Sequence, residues 1–187
     1  MSRPALHCPL LAAFLILLAA LPARAQPELV VLVRHADKAS QADEPGRDPG
    51  LSAAGQRRAE QLAEALAAAG IRHVLATAAR RTQATAAPLA QRLGLEVQAV
   101  GFEGGLPGHV AELHRRLQGL QGNALVVGHS NTLPELLQAL GGPRWPMLCE
   151  SSYGQVWLLQ LRPPAPPQVL RLRYGAPDPE PSGPDCQ

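Results

Sequence analysis

Two histidines stand where apolar runs give out, and they are the residues best suited to chemistry. His35 follows Arg34 at the end of the Val- and Leu-rich run Glu28 to Val33, and His129 follows Gly128 at the end of Ala124 to Val127. A neutral imidazole is a nucleophile near physiological pH, and a guanidinium presents a planar fork to phosphate oxygens. A His beside an Arg at the carboxyl end of a buried strand therefore suits attack on a phosphoryl group. Arg34 and Arg81 can supply such forks, and backbone N–H groups at helix starts can add donors. His35 can attack if its ring is neutral and its second nitrogen is pinned to a backbone carbonyl. His129, if protonated, adds a positive donor where negative charge develops. Spacing predicts no metal site: there is no Cys-x-x-Cys, and the other histidines of the mature chain, His73, His109 and His114, are scattered and read as solvated or partly buried.

Strands must deliver these imidazoles to one place. Short apolar runs at Glu28 to Val33, Val74 to Ala76, Ala124 to Val127 and Val156 to Leu161 fit strands covered on both faces. Between them Ala59, Leu62, Ala63 and Leu66 share one face of a helix that opens at a Ser52 N-cap and closes near Gly70. Further helical patterns run through Arg80 to Leu93, where Pro88 is expected to bend or divide the helix, Val110 to Leu120, and Leu133 to Leu140. The alternation predicts a three-layer α/β fold with a mostly parallel central sheet flanked by helices. Its ligand crevice lies outside the carboxyl ends of the strands, where Arg34, His35, Thr77 and His129 all fall. The later strands, near Gln155 to Leu161 and Gln168 to Tyr174, are joined by a Pro-rich stretch too short for a helical crossover and are expected to pair antiparallel at a sheet edge.

These residues carry a resemblance. Val31 to Lys38 resembles the R-H-G/A signature of the histidine phosphatase superfamily, which includes the cofactor-dependent phosphoglycerate mutases. Asp48 to Gly55 resembles its D-x-x-L-[ST]-x-x-G element, Thr77 to Ala86 its S-x-x-x-R-x-x-x-T-A element, and Val126 to Thr132 its V-V-G-H-[ST] element, in the same order. The resemblance selects Arg81 rather than Arg80 as the phosphate ligand. It implies that His35 is transiently phosphorylated, that Arg34, Arg81 and His129 bind the phosphate, and that water releases it with no metal or cofactor.

Many relatives place a proton-donating Glu or Asp on the loop after the third strand. Glu103, in Gly101-Phe102-Glu103-Gly104-Gly105, lies in a suitable stretch; Asp37 is the other candidate, though it reads as structural or as facing Lys38. Small relatives that act on phosphorylated protein side chains or anhydrides lack a dedicated acid, because their leaving groups need little protonation. Two other functions compete with this phosphatase. A module keeping the pocket could bind phosphorylated ligands without turnover. Gly128-His129-Ser130-Asn131-Thr132 also resembles the nucleophile elbow of serine hydrolases around Ser130, but its last position is Thr and no His follows residue 129. A mutase is disfavoured, since the chain is short for the insertions that shape those sites.

The first 25 residues read as an export signal: Arg3, the apolar stretch Leu10 to Leu21, which is short of the roughly 20 residues a spanning helix needs, and an A-x-A site at Ala23-Arg24-Ala25. Cleavage there leaves 162 of the 187 residues, about one domain, expected to span 26–174 and to end in a mobile Pro-rich tail, 175–187. Arg3 and Arg24 leave with the signal, so 15 of the 17 basic residues remain to face 15 acidic ones. With the Arg residues dispersed and few aromatics, nothing marks a nucleic-acid footprint, and no membrane anchor remains. Export points to a periplasmic or extracellular enzyme acting on small phosphorylated substrates. An oxidising compartment also permits, without requiring, a bond between Cys149 and Cys186.

Overall fold

A computed structural model describes residues 27–40, 42–43 and 46–178. The export signal, Cys186 and the chain beyond residue 178 lie outside the described residues. Six strands form one sheet: β1 (Leu29–Arg34), β2 (Ile71–Thr77), β3 (Val97–Val100), β4 (Asn123–Gly128), β5 (Gln155–Arg162) and β6 (Ala165–Arg173). Their order is β3-β2-β4-β1-β5-β6. The first four run parallel, and β5 and β6 are antiparallel to their neighbours, as the short Pro-rich connection requires. Among the described residues no helix is long and apolar enough to cross a membrane.

Because successive strand side chains point to opposite faces, the near-continuous apolar runs feed two cores. Val31 and Val33 of β1, with Val74, Ala76, Leu125 and Val127, pack under α1 (Ala53–Leu66) and α2 (Arg80–Leu93). Val30 and Leu32, with Leu75, Ala124, Val126, Trp157 and Leu159, pack under α3 (Gly105–Gln118) and α4 (Thr132–Ala139). The three layers follow from that alternation.

Three details differ from the sequence reading. Pro88 neither divides nor ends α2, which is helical from Arg80 to Leu93. An interior proline costs on the order of 3 kcal/mol; the complete burial of Leu89 and Ala86 returns a comparable amount, since a buried Leu contributes about 1.5–3 kcal/mol. Strand β3 has no apolar run of its own, because Gln98 and Ala99 face solvent at the sheet edge. Residues 175–178, counted with the tail by composition, are docked: Ala176 O accepts from Arg58 Nη1 at 2.9 Å, and Asp178 Oδ1 accepts from the Tyr153 and Gly154 amides at 2.9 and 2.8 Å.

Candidate active site

The strand order sets β4 between β1 and β2, so the carboxyl ends of all three open on one depression. It measures about 770 Å³, and its lining includes Arg34, His35, Lys38, Asp48, Thr77, Arg81, Phe102, His129, Ser130 and Glu150. The four residues expected to meet, Arg34, His35, Arg81 and His129, all line it.

His35 is fixed on both sides. Its amide donates to Gly128 O at 3.0 Å, tying the end of β1 to the end of β4. Its Nδ1 lies 2.8 Å from Ala36 O. A carbonyl only accepts, so Nδ1 carries the proton and Nε2 keeps its lone pair. Burial, together with the charges of Arg34, His129 and Arg81, holds the ring's pKa down to about 3, against the carbonyl bond that would raise it. The loop itself is pinned by Thr85, whose Oγ1 accepts from the Ala36 amide at 2.9 Å and donates to Arg81 O at 2.7 Å. Gly55 serves the same loop from α1: a Cβ there would overlap the Asp37 carbonyl oxygen. Ser52, the predicted N-cap, accepts from Gly55 N at 3.1 Å.

His129 meets His35 edge-on, with ring centroids 5.3 Å apart. Its Nε2 is 2.9 Å from Thr77 Oγ1. That hydroxyl lies 2.8 Å from Thr82 Oγ1, whose own proton goes to the carbonyls of Thr77 or Ala79 at 2.9 and 2.7 Å. Thr77 therefore donates to Thr82 and accepts from His129 Nε2–H, which leaves Nδ1 as the acceptor facing Arg81 Nη2 at 3.5 Å. Burial first, then Arg81, holds this imidazole at about 4. Gly128 permits the turn, since a Cβ would press on Thr132 Oγ1 at 2.6 Å.

The two guanidinium groups are held differently. Arg81 Nη1 pairs with Asp48 Oδ1 at 3.2 Å, and Asp48 also accepts from the Arg80 amide. Arg81, not Arg80, lines the depression. Arg34 is 1% exposed. Its Nη1 donates to the carbonyls of Cys149, Glu150 and Ser152 at 2.6, 3.0 and 3.2 Å, its Nη2 pairs with Glu150 at 3.0 Å, and it lies 4.5 Å over the Tyr153 ring. Its Nε is buried with no partner among the described residues.

Other predicted residues fall elsewhere. Glu103 turns back over Gly101 and lines a neighbouring depression with Gly108, Glu112, Arg115 and Arg116. Asp37 faces Arg58 Nε at 2.6 Å rather than Lys38. His109 is 1% exposed, stacks on Phe102 at 4.1 Å and bonds Gly101 O, so it is a core residue rather than a solvated one. Ser130 Oγ donates to Glu150 Oε1 at 3.1 Å, and among the described residues no non-glycine has a positive φ, so the strained elbow of a serine hydrolase is missing. Cys149 is in a disulfide; the other two cysteines, Cys8 and Cys186, lie outside the described residues. Sequence reasoning missed Glu150 and Tyr153, which lie in a segment with no regular period to read, and gave Asp48 and Thr85 no roles although both stand inside quoted motifs.

The depressed imidazoles have a consequence for stability. An unfolded His takes its proton near pH 6.5, whereas His35 in the fold stays neutral down to about 3. As pH falls below 6.5 the unfolded chain binds more protons and stability falls; above 6.5 the ring contributes no such slope. A His35→Asn variant is thus expected to gain about 2 kcal/mol on the wild type between pH 7.5 and pH 5, read from denaturant unfolding at both values. Parallel curves for the two proteins would contradict a neutral buried ring.

Residues 30–101 match the model of the histidine phosphatase superfamily (branch 1). Solved structures share the fold. The protein histidine phosphatase SixA complexed with tungstate aligns at a TM-score of 0.62 with 19% identity, covering 78% of this chain and 96% of that one. The alpha-ribazole phosphatase from Shigella flexneri aligns at 0.59 with 19% identity, covering 76% and 95%. A mycobacterial glucosyl-3-phosphoglycerate phosphatase in complex with inorganic phosphate aligns at 0.53 with 18% identity, covering 80% and 97%. No curated protein matches the chain.

Proposed function

We propose that the chain, whose residues 30–101 match the model of the histidine phosphatase superfamily (branch 1), is a member of it and hydrolyses phosphorylated small molecules through a phosphohistidine at His35. The observation that supports this reading most is the His35 ring. Its Nδ1–H is spent on Ala36 O, its Nε2 lone pair is free, and it lines one depression with Arg34, Arg81 and His129. In the first step Nε2 forms the N–P bond as the P–O bond breaks, and the electron pair leaves with the departing oxygen. In the second, water attacks phosphorus and the N–P pair returns to Nε2, releasing inorganic phosphate.

Arg81 offers its fork to the equatorial oxygens, and Arg34, whose Nη groups are held by the 149–152 carbonyls and Glu150, adds its charge from the pocket lining. Burial first, and then Arg81, keep His129 neutral; a phosphate dianion beside it offsets both, and Nδ1 then takes a proton and donates it to a phosphate oxygen. Neither Glu103 nor Asp37 lines this depression, and the carboxylates that do, Asp48 and Glu150, are paired with Arg81 and with Arg34 and Lys38, which favours leaving groups that need little protonation. We also place the enzyme outside the cytoplasm. The N-terminal pattern supports export, and the Cys149 disulfide fits an oxidising compartment.

The test is turnover of a generic aryl phosphate by the chain lacking residues 1–25. Activity that survives chelators, is stopped by vanadate and leaves an acid-labile, base-stable phosphoryl group on the protein is the expected result. Tight phosphate binding with no turnover would instead identify a binding module, and fluorophosphonate labelling of Ser130 a serine hydrolase.

A further inference from the structure

Glu150 has no role in the scheme above, yet its carboxylate gathers three donors at the mouth of the pocket. Oε2 lies 3.0 Å from Arg34 Nη2 and 3.3 Å from Lys38 Nζ, while Oε1 accepts from Ser130 Oγ at 3.1 Å. Arg34 and Lys38 flank His35 in sequence and Ser130 follows His129, so these donors belong to the two loops that carry the imidazoles. Two cations and a hydroxyl converging on one carboxylate make a cradle that the carboxylate or phosphate of a substrate would equally fit.

The backbone beneath Glu150 is fastened. Arg34 Nη1 holds the carbonyls of Cys149, Glu150 and Ser152, and Cys149 is in a disulfide. The Glu150 side chain itself is 62% exposed, although Arg34 opposite it is buried; Arg34 keeps three carbonyl partners through Nη1 without it, and a Gln at 150 retains an oxygen to accept from Nη2. Burial works against the charge, but Arg34, Lys38 and the Ser130 hydroxyl hold the carboxyl below its ordinary range and keep it ionised.

We propose that Glu150 is a specificity residue that keeps this second anion cradle filled, directing the enzyme to phosphorylated substrates whose leaving group carries no anionic group beside the phosphate. A leaving group with a carboxylate or second phosphate meets a like charge in this cradle and finds its two cations, Arg34 and Lys38, already paired with Glu150. A neutral leaving group meets neither obstacle. The proposal rests on the phosphatase reading above, and it concerns which ester is preferred rather than whether one is cleaved.

Phenyl phosphate and 3-carboxyphenyl phosphate, compared on wild type and Glu150→Gln, test it. The wild type is expected to prefer the uncharged ester. Glu150→Gln is expected to raise kcat/KM for the carboxylated ester by about tenfold, as removal of one like charge at close range would, and to leave phenyl phosphate within about twofold. Adding Lys38→Ala to that variant removes the gain. Lys38→Ala alone leaves the Glu150 charge less compensated and deepens the preference for the uncharged ester, so the proposal can be judged even if Glu150→Gln misfolds. Equal changes on both esters, or a loss on the carboxylated one in Glu150→Gln, would overturn it. A wild type that cleaves neither ester refutes the phosphatase reading instead.

Discussion

Substitution of His35 by Ala is expected to lower kcat/KM for aryl phosphates by about 10⁴-fold and to abolish the acid-labile phosphoryl label. The size follows from what is lost. No second nucleophile stands in the depression: His129 presents an Nδ1 that faces Arg81 and an Nε2 engaged by Thr77, and Ser130 is bonded to Glu150. Removing the group that splits hydrolysis into two easier steps leaves only electrostatic stabilisation of direct attack by water. The vacated pocket keeps Arg34, Arg81 and His129, so inorganic phosphate and vanadate should still bind. Retention of both rate and label in His35→Ala would end the account.

Arg81→Ala should show the second largest effect, about 10²- to 10³-fold on kcat/KM, with kcat falling as well as KM rising. Arg81 touches the depression directly and also abuts His129 Nδ1, so its loss removes a charge from phosphate and alters the imidazole that is to donate. With that cation gone, the His129 pKa should climb from about 4. Arg81→Lys should recover only part of the rate, because an ammonium cannot reproduce the planar fork. Steady-state rates on one aryl phosphate check all three variants; an unchanged kcat/KM in Arg81→Ala would remove it from the site.

Much of this was legible in the chain because the chemistry sits at element boundaries. Apolar runs mark β1, β2 and β4, and the residues just past them are the ones that meet. Motif spacing alone picks Arg81 over Arg80, and the fold supplies the reason: Thr85, four residues on, grips both Arg81 O and the Ala36 amide. What periodicity could not show are contacts across long separations with no pattern of their own. Glu150 reaches Arg34 from 116 positions away. Glu103 was expected in the pocket from its place after β3, but the turn Gly101 to Gly105 folds its carboxylate back over Gly101. Pro88 does not divide α2 because the buried face of the helix argues more strongly for continuity than local backbone chemistry does for a break.

The sheet order carries a consequence for how the pocket is assembled. Strands β1 and β2 never pair with each other; each is joined to β4, which lies between them. A nascent chain ending at β3 therefore contains His35 and Arg81 but has no ladder to align the strands that bear them. Only when residues 123–128 insert does the register Val33↔Val127 on one side and Ala76↔Val127 on the other bring both strand ends level. The strand that delivers His129 is thus also the keystone that brings the other pocket residues into line, and the pocket closes as a unit late in synthesis rather than growing residue by residue.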